Sequence, residues 1–415
     1  MHWFTWLFLA ALALGTAWRV YLSLRQIRAM ANARAAVPVP FDSSIDLADH
    51  QKACDYTAAN SRVAIPDVLY DAVLLLGWTL FGGLSLLDGW WSSLSLSPLL
   101  TGVGFLVSAL IIMSALTLPF SIYRTFVVEE RFGFNKTTPK MFVVDLVKGF
   151  FVSLVLGVPL IAVVLWLMDS AGDYWWFYAW LVWTGFSLAI TWAYPAFIAP
   201  LFNKFSPLSN EDLKTRIESL LRRCGFRSSG IFVMDGSTRS THGNAYFTGV
   251  GNNKRIVFFD TLIDSLEPLE VEAVLAHELG HFRLHHIRKR LILTFLLGLV
   301  GLAVLGWLKL QPWFYSALGV TQSSSYMALM LFMLVSPLFT FAFTPVSART
   351  SRRHEFEADE YAARASDASA LIKALVKLYR DNATALSPDK LHSSFYDSHP
   401  PGPVRVARLQ ALAAS

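Results

Sequence analysis

The densest chemistry in this sequence is the run His277-Glu278-Leu279-Gly280-His281. Two histidines four apart lie one above the other on a helix face, where two imidazole nitrogens can hold one Zn²⁺. The glutamate beside the first histidine is then placed to take a proton from an attacking water. With 10 histidines in 415 residues, a chance match is on the order of one in a hundred, so the pattern by itself is suggestive rather than decisive. Its surroundings read as helix. Ser265 is the expected N-cap, Glu267 and Pro268 suit a first turn, and Val271, Val274, Leu275 and Leu279 keep helical apolar spacing. Apolar sequence resumes from Leu291, so the leading reading is an intramembrane or membrane-embedded zinc protease.

A hydrolytic zinc site needs three protein ligands and one open position. His285 and His286 follow the motif, but one straight helix does not easily bring a third turn to the same ion, so both are expected as juxtamembrane surface residues. A metzincin would require glycine at 284 and histidine at 287; Leu284 and Ile287 exclude it. A better candidate lies in the run 352–359, where Glu355 and Asp359 share one helical face. The glutamate could ligate zinc while the aspartate accepts the spare N–H of a ligating histidine. Two membrane spans between His281 and Glu355 would return the chain to the same side of the bilayer. Taken alone, Glu355 and Asp359 read equally well as a solvated acidic face, with Glu357 and Glu360 alongside.

These residues must be positioned by a mostly apolar chain. Hydrophobic residues make up 54% and charged residues 16%, too apolar for an ordinary soluble protein. Runs long enough to cross a bilayer fall at 4–22, 67–91, 99–122, 142–168, 174–200, 290–310 and 326–346. The second is the least regular, with a central Gly-Gly and flanking Asp67, Asp71 and Asp88. The first reads as a retained anchor, because no basic residue precedes it, while Arg19 lies near its end and Arg25 and Arg28 follow. Segments 89–98, 169–174 and 311–325 lack Lys and Arg, whereas 23–66, 123–141, 201–289 and 347–415 carry nearly all of them. The positive-inside rule then puts the N-terminus outside and the C-terminus and large loops in the cytoplasm.

The expected fold is therefore mainly α: a polytopic membrane protein with seven transmembrane helices and a cytoplasmic zinc metalloprotease region containing a small β-sheet. Residues 1–200 form a membrane domain with five spans, and 201–289 a cytoplasmic segment carrying the motif helix. The sixth and seventh spans occupy 290–346, and a helical cytoplasmic segment with the third ligand occupies 347–415. Within 201–289 the pattern predicts an amphipathic helix around 211–224 and strands at 231–234 and 255–259, with Gly243, Gly249 and Gly251 punctuating the interval. Cys54 and Cys224 both fall on the cytoplasmic side, so neither a disulfide framework nor a cysteine metal site is implied. The net charge of +5 follows from topology, and no basic-aromatic pattern argues for nucleic acid.

Several further segments carry a resemblance. They are the runs Glu129-Glu130-Arg131-Phe132-Gly133-Phe134-Asn135-Lys136, Pro200-Leu201-Phe202-Asn203-Lys204-Phe205, Gly243-Asn244-Ala245-Tyr246-Phe247-Thr248-Gly249 and Ser398-His399-Pro400-Pro401. With the motif helix and the Glu355 to Asp359 element, the chain resembles the type 1 CAAX prenyl proteases, seven-span zinc metalloproteases that include the a-factor-converting and prelamin-processing enzymes. The resemblance implies one zinc per chain held by His277, His281 and Glu355, with Glu278 as general base and Asp359 behind the ligands. It implies a substrate-facing edge at Asn244, Ala245 and Tyr246, where an extended peptide adds as a strand. It also places His399 and Arg405 near the scissile bond, as groups that stabilise the oxyanion or hold substrate.

Two departures stand out. Gly402-Pro403-Val404 precedes Arg405 where the family usually carries bulkier apolar residues, and the chain ends Ala413-Ala414-Ser415 without a dilysine signal. The first departure bears on the alignment of Arg405; the second, with the Ala-rich cytoplasmic blocks, points to a bacterial inner-membrane relative, whose peptide or protein substrate need not be prenylated. The rival readings are an HtpX-like quality-control protease, which shares the zinc pattern on fewer spans, and a non-catalytic membrane scaffold with structural zinc. Glu278 weighs against the scaffold, since a structural site needs no base and closes its fourth position.

Overall fold

A computed structural model describes residues 2–226, 228–248 and 255–414; Gly249 and Gly251 lie outside them. Among the described residues, six helices are long and apolar enough to cross a membrane: Trp3–Ala33, Pro98–Glu129, Pro139–Ser170, Gly172–Phe202, His286–Lys309 and Ser325–Ala365. The pair Leu47–Trp78 and Gly83–Ser93, bent by 47°, makes a seventh when counted as one span. The bend falls at the expected weak point. Gly82 adopts φ +82°, and a Cβ on Gly83 would come within 2.8 Å of the Gly77 carbonyl oxygen, so the break is tight enough to need glycine.

Several spans start where a side chain can satisfy the first free N–H groups. Ser97, Thr138 and Ser324 cap the helices that begin at Pro98, Pro139 and Ser325, two of them with proline in the first turn. Outward faces stay apolar, as at Phe151, Val155, Trp166, Leu297 and Val300, which suits contact with lipid. Inward faces meet in a core around Phe8, Phe105, Leu165, Met327 and Leu331.

Beyond the spans, a four-stranded sheet runs in the order β1-β2-β4-β3, with β1 Phe205–Pro207, β2 Gly230–Met234, β3 Ala245–Thr248 and β4 Arg255–Phe259. β1 and β3 pair antiparallel to their neighbours, while β2 and β4 are parallel. β2 and β4 match the two expected strands; β1 and β3 are too short and too mixed in pattern to read from periodicity. The amphipathic helix Glu211–Arg223, capped by Asn210, presses Leu213, Ile217, Leu220 and Leu221 into a second core with Ile256, Phe258, Leu275, Leu371 and Leu409.

Two helices carry the chemistry. The motif helix is Pro268–Arg283. Its N-cap is Glu267, in a reciprocal box with Glu270, and not the expected Ser265, which ends the short preceding helix Asp260–Ser265. The box wins because proline at the first helical position fixes the start one residue after Glu267. The carboxylate helix is Thr344–Ala365, nearly continuous with the last span.

Candidate metal centre

The motif and carboxylate helices cross at Gly280. A Cβ there would lie 3.0 Å from Ala358 Cα and 3.1 Å from its carbonyl oxygen. Small residues at both positions let the backbones approach closely. Residues flanking the crossing, His277 and His281 on one helix and Glu355 and Asp359 on the other, are thereby brought face to face. The two acidic residues do not form a solvated face: Glu355 is 5% exposed and Asp359 1%.

The two imidazole nitrogens and the Glu355 carboxylate, which meets each ring through a different oxygen, form a close triangle. His277 Nε2 and His281 Nε2 are 3.2 Å apart; Glu355 Oε2 is 3.5 Å from the first and Glu355 Oε1 3.3 Å from the second. A tetrahedral zinc with bonds of about 2.0–2.2 Å separates its ligand atoms by roughly 3.3–3.5 Å. The residues present therefore fit that ion. Glu355 Oε2 is buried and accepts no hydrogen bond, an acceptor left for a cation.

Behind the triangle, His277 Nδ1 lies 2.9 Å from Asp359 Oδ1. Arg405 donates from Nε and Nη2 to the two Asp359 oxygens at 2.8 and 2.6 Å, with Nη1 3.6 Å from Glu355 Oε2. Burial disfavours the charged His277 ring, but the neighbouring Asp359 and Glu355 carboxylates outweigh it and raise its pKa to about 9. An environment that favours a proton there favours a metal cation for the same reason. Burial lifts the Glu278 carboxyl above its usual range, against the pull of His277 and His281. Burial also penalises the Arg405 cation, and Asp359 more than restores it. His399 is exposed, with Nε2 3.5 Å from Glu355 Oε2 and Nδ1 3.0 Å from Ser398 Oγ.

His286, expected at the surface, is buried against the centre at 4% exposure. His285 adopts φ +59° and breaks the helix there, which swings His286 back toward His281. His285 itself stays exposed.

Asn244 precedes β3, the sheet edge beside the motif helix; its carbonyl accepts from Phe259 N–H at 2.9 Å, and its side chain accepts from Ala245 N–H at 2.8 Å. Antiparallel alternation then turns the backbone groups of Ala245 and Phe247 toward the open edge. Ala245 is buried, and the Tyr246 hydroxyl, pushed up to about 12 by burial, lies 3.9 Å from Met234 Sδ.

Sequence reasoning found no physical reason for the segments at 129–136 and 200–205. In the structure they converge on the approach to β3. Arg239 binds both Asp145 oxygens at 2.9 and 3.2 Å, Asn203 Oδ1 at 3.0 Å and the Phe202 carbonyl. Asn135 bridges to Ser240, and Phe134 stacks on His242 at 4.4 Å. Glu129 accepts from the Tyr56 hydroxyl at 2.6 Å and lies 3.6 Å from His242 Nε2. Membrane helices are thus tied to the segment that leads into the edge strand. No local signal marks these partners, because each is a lone polar residue in a different part of the chain.

Two family models match the chain: one described as CAAX prenyl protease N-terminal, five membrane helices, over residues 26–204, and peptidase family M48 over residues 207–413. The CAAX prenyl protease 1 homolog of Arabidopsis thaliana is 38% identical over 321 residues, covering 76% of this chain and 74% of that protein. The Homo sapiens homolog is 31% identical over 449 residues, covering 95% and 92%. The crystal structure of S. mikatae Ste24p superposes with a TM-score of 0.92 at 30% identity, covering 99% of each chain.

Proposed function

The chain belongs to the CAAX prenyl protease group of peptidase family M48, and on that premise we propose that it hydrolyses peptide bonds at a zinc held by His277, His281 and Glu355. It is an integral-membrane zinc metalloendopeptidase. The observation that carries the site reading is the triangle of two imidazole nitrogens and a carboxylate at tetrahedral spacing, with Glu278 one residue from the first ligand.

Zn²⁺, when bound, polarises the scissile carbonyl and makes the attacking water more acidic. Glu278 takes the proton of that water and later delivers it to the leaving amine; its burial, which raises the carboxyl's affinity for a proton, suits both transfers. His399, on the open side of the triangle, donates to the oxygen of the tetrahedral carbon. Arg405 is a positioning residue, because its guanidinium is bound to Asp359. Asp359 in turn holds the proton on His277 Nδ1, which leaves Nε2 for the metal. The substrate pairs as an added strand along β3 at Asn244, Ala245 and Tyr246, a reading supported by the open sheet edge beside the motif helix.

The substrate we propose is the carboxyl-terminal segment of a prenylated or membrane-associated protein, a reading supported by the similarity to proteins named CAAX prenyl protease 1 homolog. The match to the five-helix N-terminal model favours this over the HtpX-like reading, whose proteins have fewer spans. We place the N-terminus outside and the metal centre at the cytoplasmic face, on the distribution of Lys and Arg among the loops. The named relatives are all eukaryotic and lend no support to a bacterial inner membrane, so the proposal is confined to orientation.

Purified protein should be assayed against a farnesylated CAAX peptide and its unprenylated twin. Glu278→Ala should lose cleavage yet retain zinc; full cleavage by that variant would refute the base. Cleavage of neither peptide by zinc-loaded wild type would refute the substrate class. Membranes carrying wild-type and Glu278→Ala protein should then differ in uncut species that identify the natural substrate.

A further inference from the structure

His277 Nδ1 has its own carboxylate, Asp359, whereas the only carboxylate that the described contacts give His281 is Glu355, on its Nε2 side. The second His281 nitrogen, Nδ1, instead lies 3.1 Å from His286 Nδ1, and His286 Nε2 lies 3.0 Å from Glu357 Oε2. Arg353 Nε donates to the other Glu357 oxygen at 2.9 Å. We propose that His286 is the positioning residue for His281, a relay that carries the Glu357 charge to the second zinc ligand. The inference rests on the reading of His281 as a ligand through Nε2.

Given that reading, every proton is assigned. A ligating Nε2 must present its lone pair, so the His281 proton sits on Nδ1 and is donated to His286 Nδ1. His286 Nδ1 must then be bare, which puts its own proton on Nε2, where Glu357 accepts it. No other arrangement of neutral rings satisfies both contacts. The result is a second carboxylate behind the metal, reached through one imidazole where His277 reaches its carboxylate directly.

The backbone is shaped for this contact. In an unbroken helix, residue 286 would point about 140° around from residue 281 and could not meet it. The left-handed turn at His285, φ +59°, ends the motif helix and starts the next one at His286. A non-glycine residue in that region is strained, and the burial of His286 against His281 is what that turn achieves.

A second metal is the rival use of these groups. One ligand-type atom from each of His286, His354 and Glu357 lies within 4.8 Å of the others. Yet the His286 and His354 rings stack at 4.0 Å and 7°. Lone pairs in parallel stacked planes run side by side and do not converge on one ion. The stacking instead fixes the plane of His286, as a relay requires.

The test uses the full chain in detergent, with zinc affinity measured by chelator competition, zinc content per chain, and the visible spectrum of the Co²⁺-substituted protein. His286→Phe keeps an aromatic ring but neither nitrogen; its zinc affinity should fall on the order of 10–100-fold, with a shifted Co²⁺ spectrum. His286→Asn can place an amide oxygen near Nδ1 and should recover most of the affinity and the wild-type spectrum, which a merely space-filling role would not allow. Glu357→Ala, on a partly exposed helix face, should weaken binding several-fold in a folded protein. Wild-type affinity in both His286→Phe and Glu357→Ala overturns the relay. So does a wild-type chain with two zinc ions from which His286→Phe loses only the second. If His277→Ala and His281→Ala leave zinc binding unchanged, the ligand assignment itself fails, an outcome distinct from failure of the relay.

Discussion

Replacing Asp359 by asparagine tests how the metal centre is built. Asp359 is 1% exposed and faces three N–H groups: Arg405 Nε and Nη2 at 2.8 and 2.6 Å, and His277 Nδ1 at 2.9 Å. The amide keeps the shape and removes the charge, so the buried Arg405 cation loses its hydrogen-bonded carboxylate and keeps only Glu355, 3.6 Å away. Stranding one member of a buried ion pair costs roughly 3–5 kcal/mol; asparagine keeps one acceptor, which puts the cost near the lower end, at about 3 kcal/mol. Loss of a charged group behind a zinc ligand should separately weaken metal binding about 10–100-fold, or about 1.4–2.8 kcal/mol. The assays are thermal melting of metal-stripped protein in detergent and chelator competition for zinc. A second substitution separates the two effects. Arg405→Met on top of Asp359→Asn removes the stranded cation, so stability should recover while zinc affinity stays low. Zinc affinity within twofold of wild type in Asp359→Asn, or strictly additive losses of stability in the double variant, would refute the reasoning.

Three further outcomes follow from the same geometry. In metal-stripped protein His277 is raised to about 9 from an unfolded value of about 6.5; its contribution is full below about 6.5 and lost as pH rises through about 9. The melting temperature of EDTA-treated protein should therefore fall across that window, and His277→Gln should flatten the slope; an equal slope in the variant would count against it. Gly280→Ala sets a methyl 3.0 Å from Ala358 Cα and 3.2 Å from Tyr361 Cβ. Overpacking of roughly 1–3 kcal/mol should outweigh the propensity gain of about 1 kcal/mol, lowering both melting temperature and zinc affinity, and unchanged zinc binding would show that the crossing does not set the ligand triangle. If substrate adds to β3 as a strand, single N-methyl groups along a peptide should impair cleavage at alternate positions; uniform tolerance would rule out strand addition.

Much of the framework is legible in the residues. A bilayer demands long apolar helices whose polar backbone is satisfied internally, so the runs at 99–122, 142–168 and 290–310 announce themselves by composition. The HExxH spacing and proline at 268 locate the motif helix, and the two central strands stand out as β-branched and aromatic runs. The ends of elements are less legible. The second span starts its helix at Leu47, far before its apolar run, because the polar residues from Leu47 onward pack against the Trp3–Ala33 helix and at Cys54 and Ala58 join Met30. The edge strands β1 and β3, three and four residues long, are strands only because a neighbour pairs with them.

What the sequence determined by itself is the kind of chemistry and the side of each helix that carries it, since both follow from spacing within one element. Which elements meet was decided by tertiary structure. The approach of Gly280 to Ala358 turns an ambiguous acidic face into a buried carboxylate facing the two histidines. One left-handed residue, His285, converts its neighbour from a surface histidine into part of the centre. Arg405 finds Asp359 across 46 residues. Periodicity reports the orientation of a side chain about its own axis, and it contains nothing about the distance between two axes, which close packing sets.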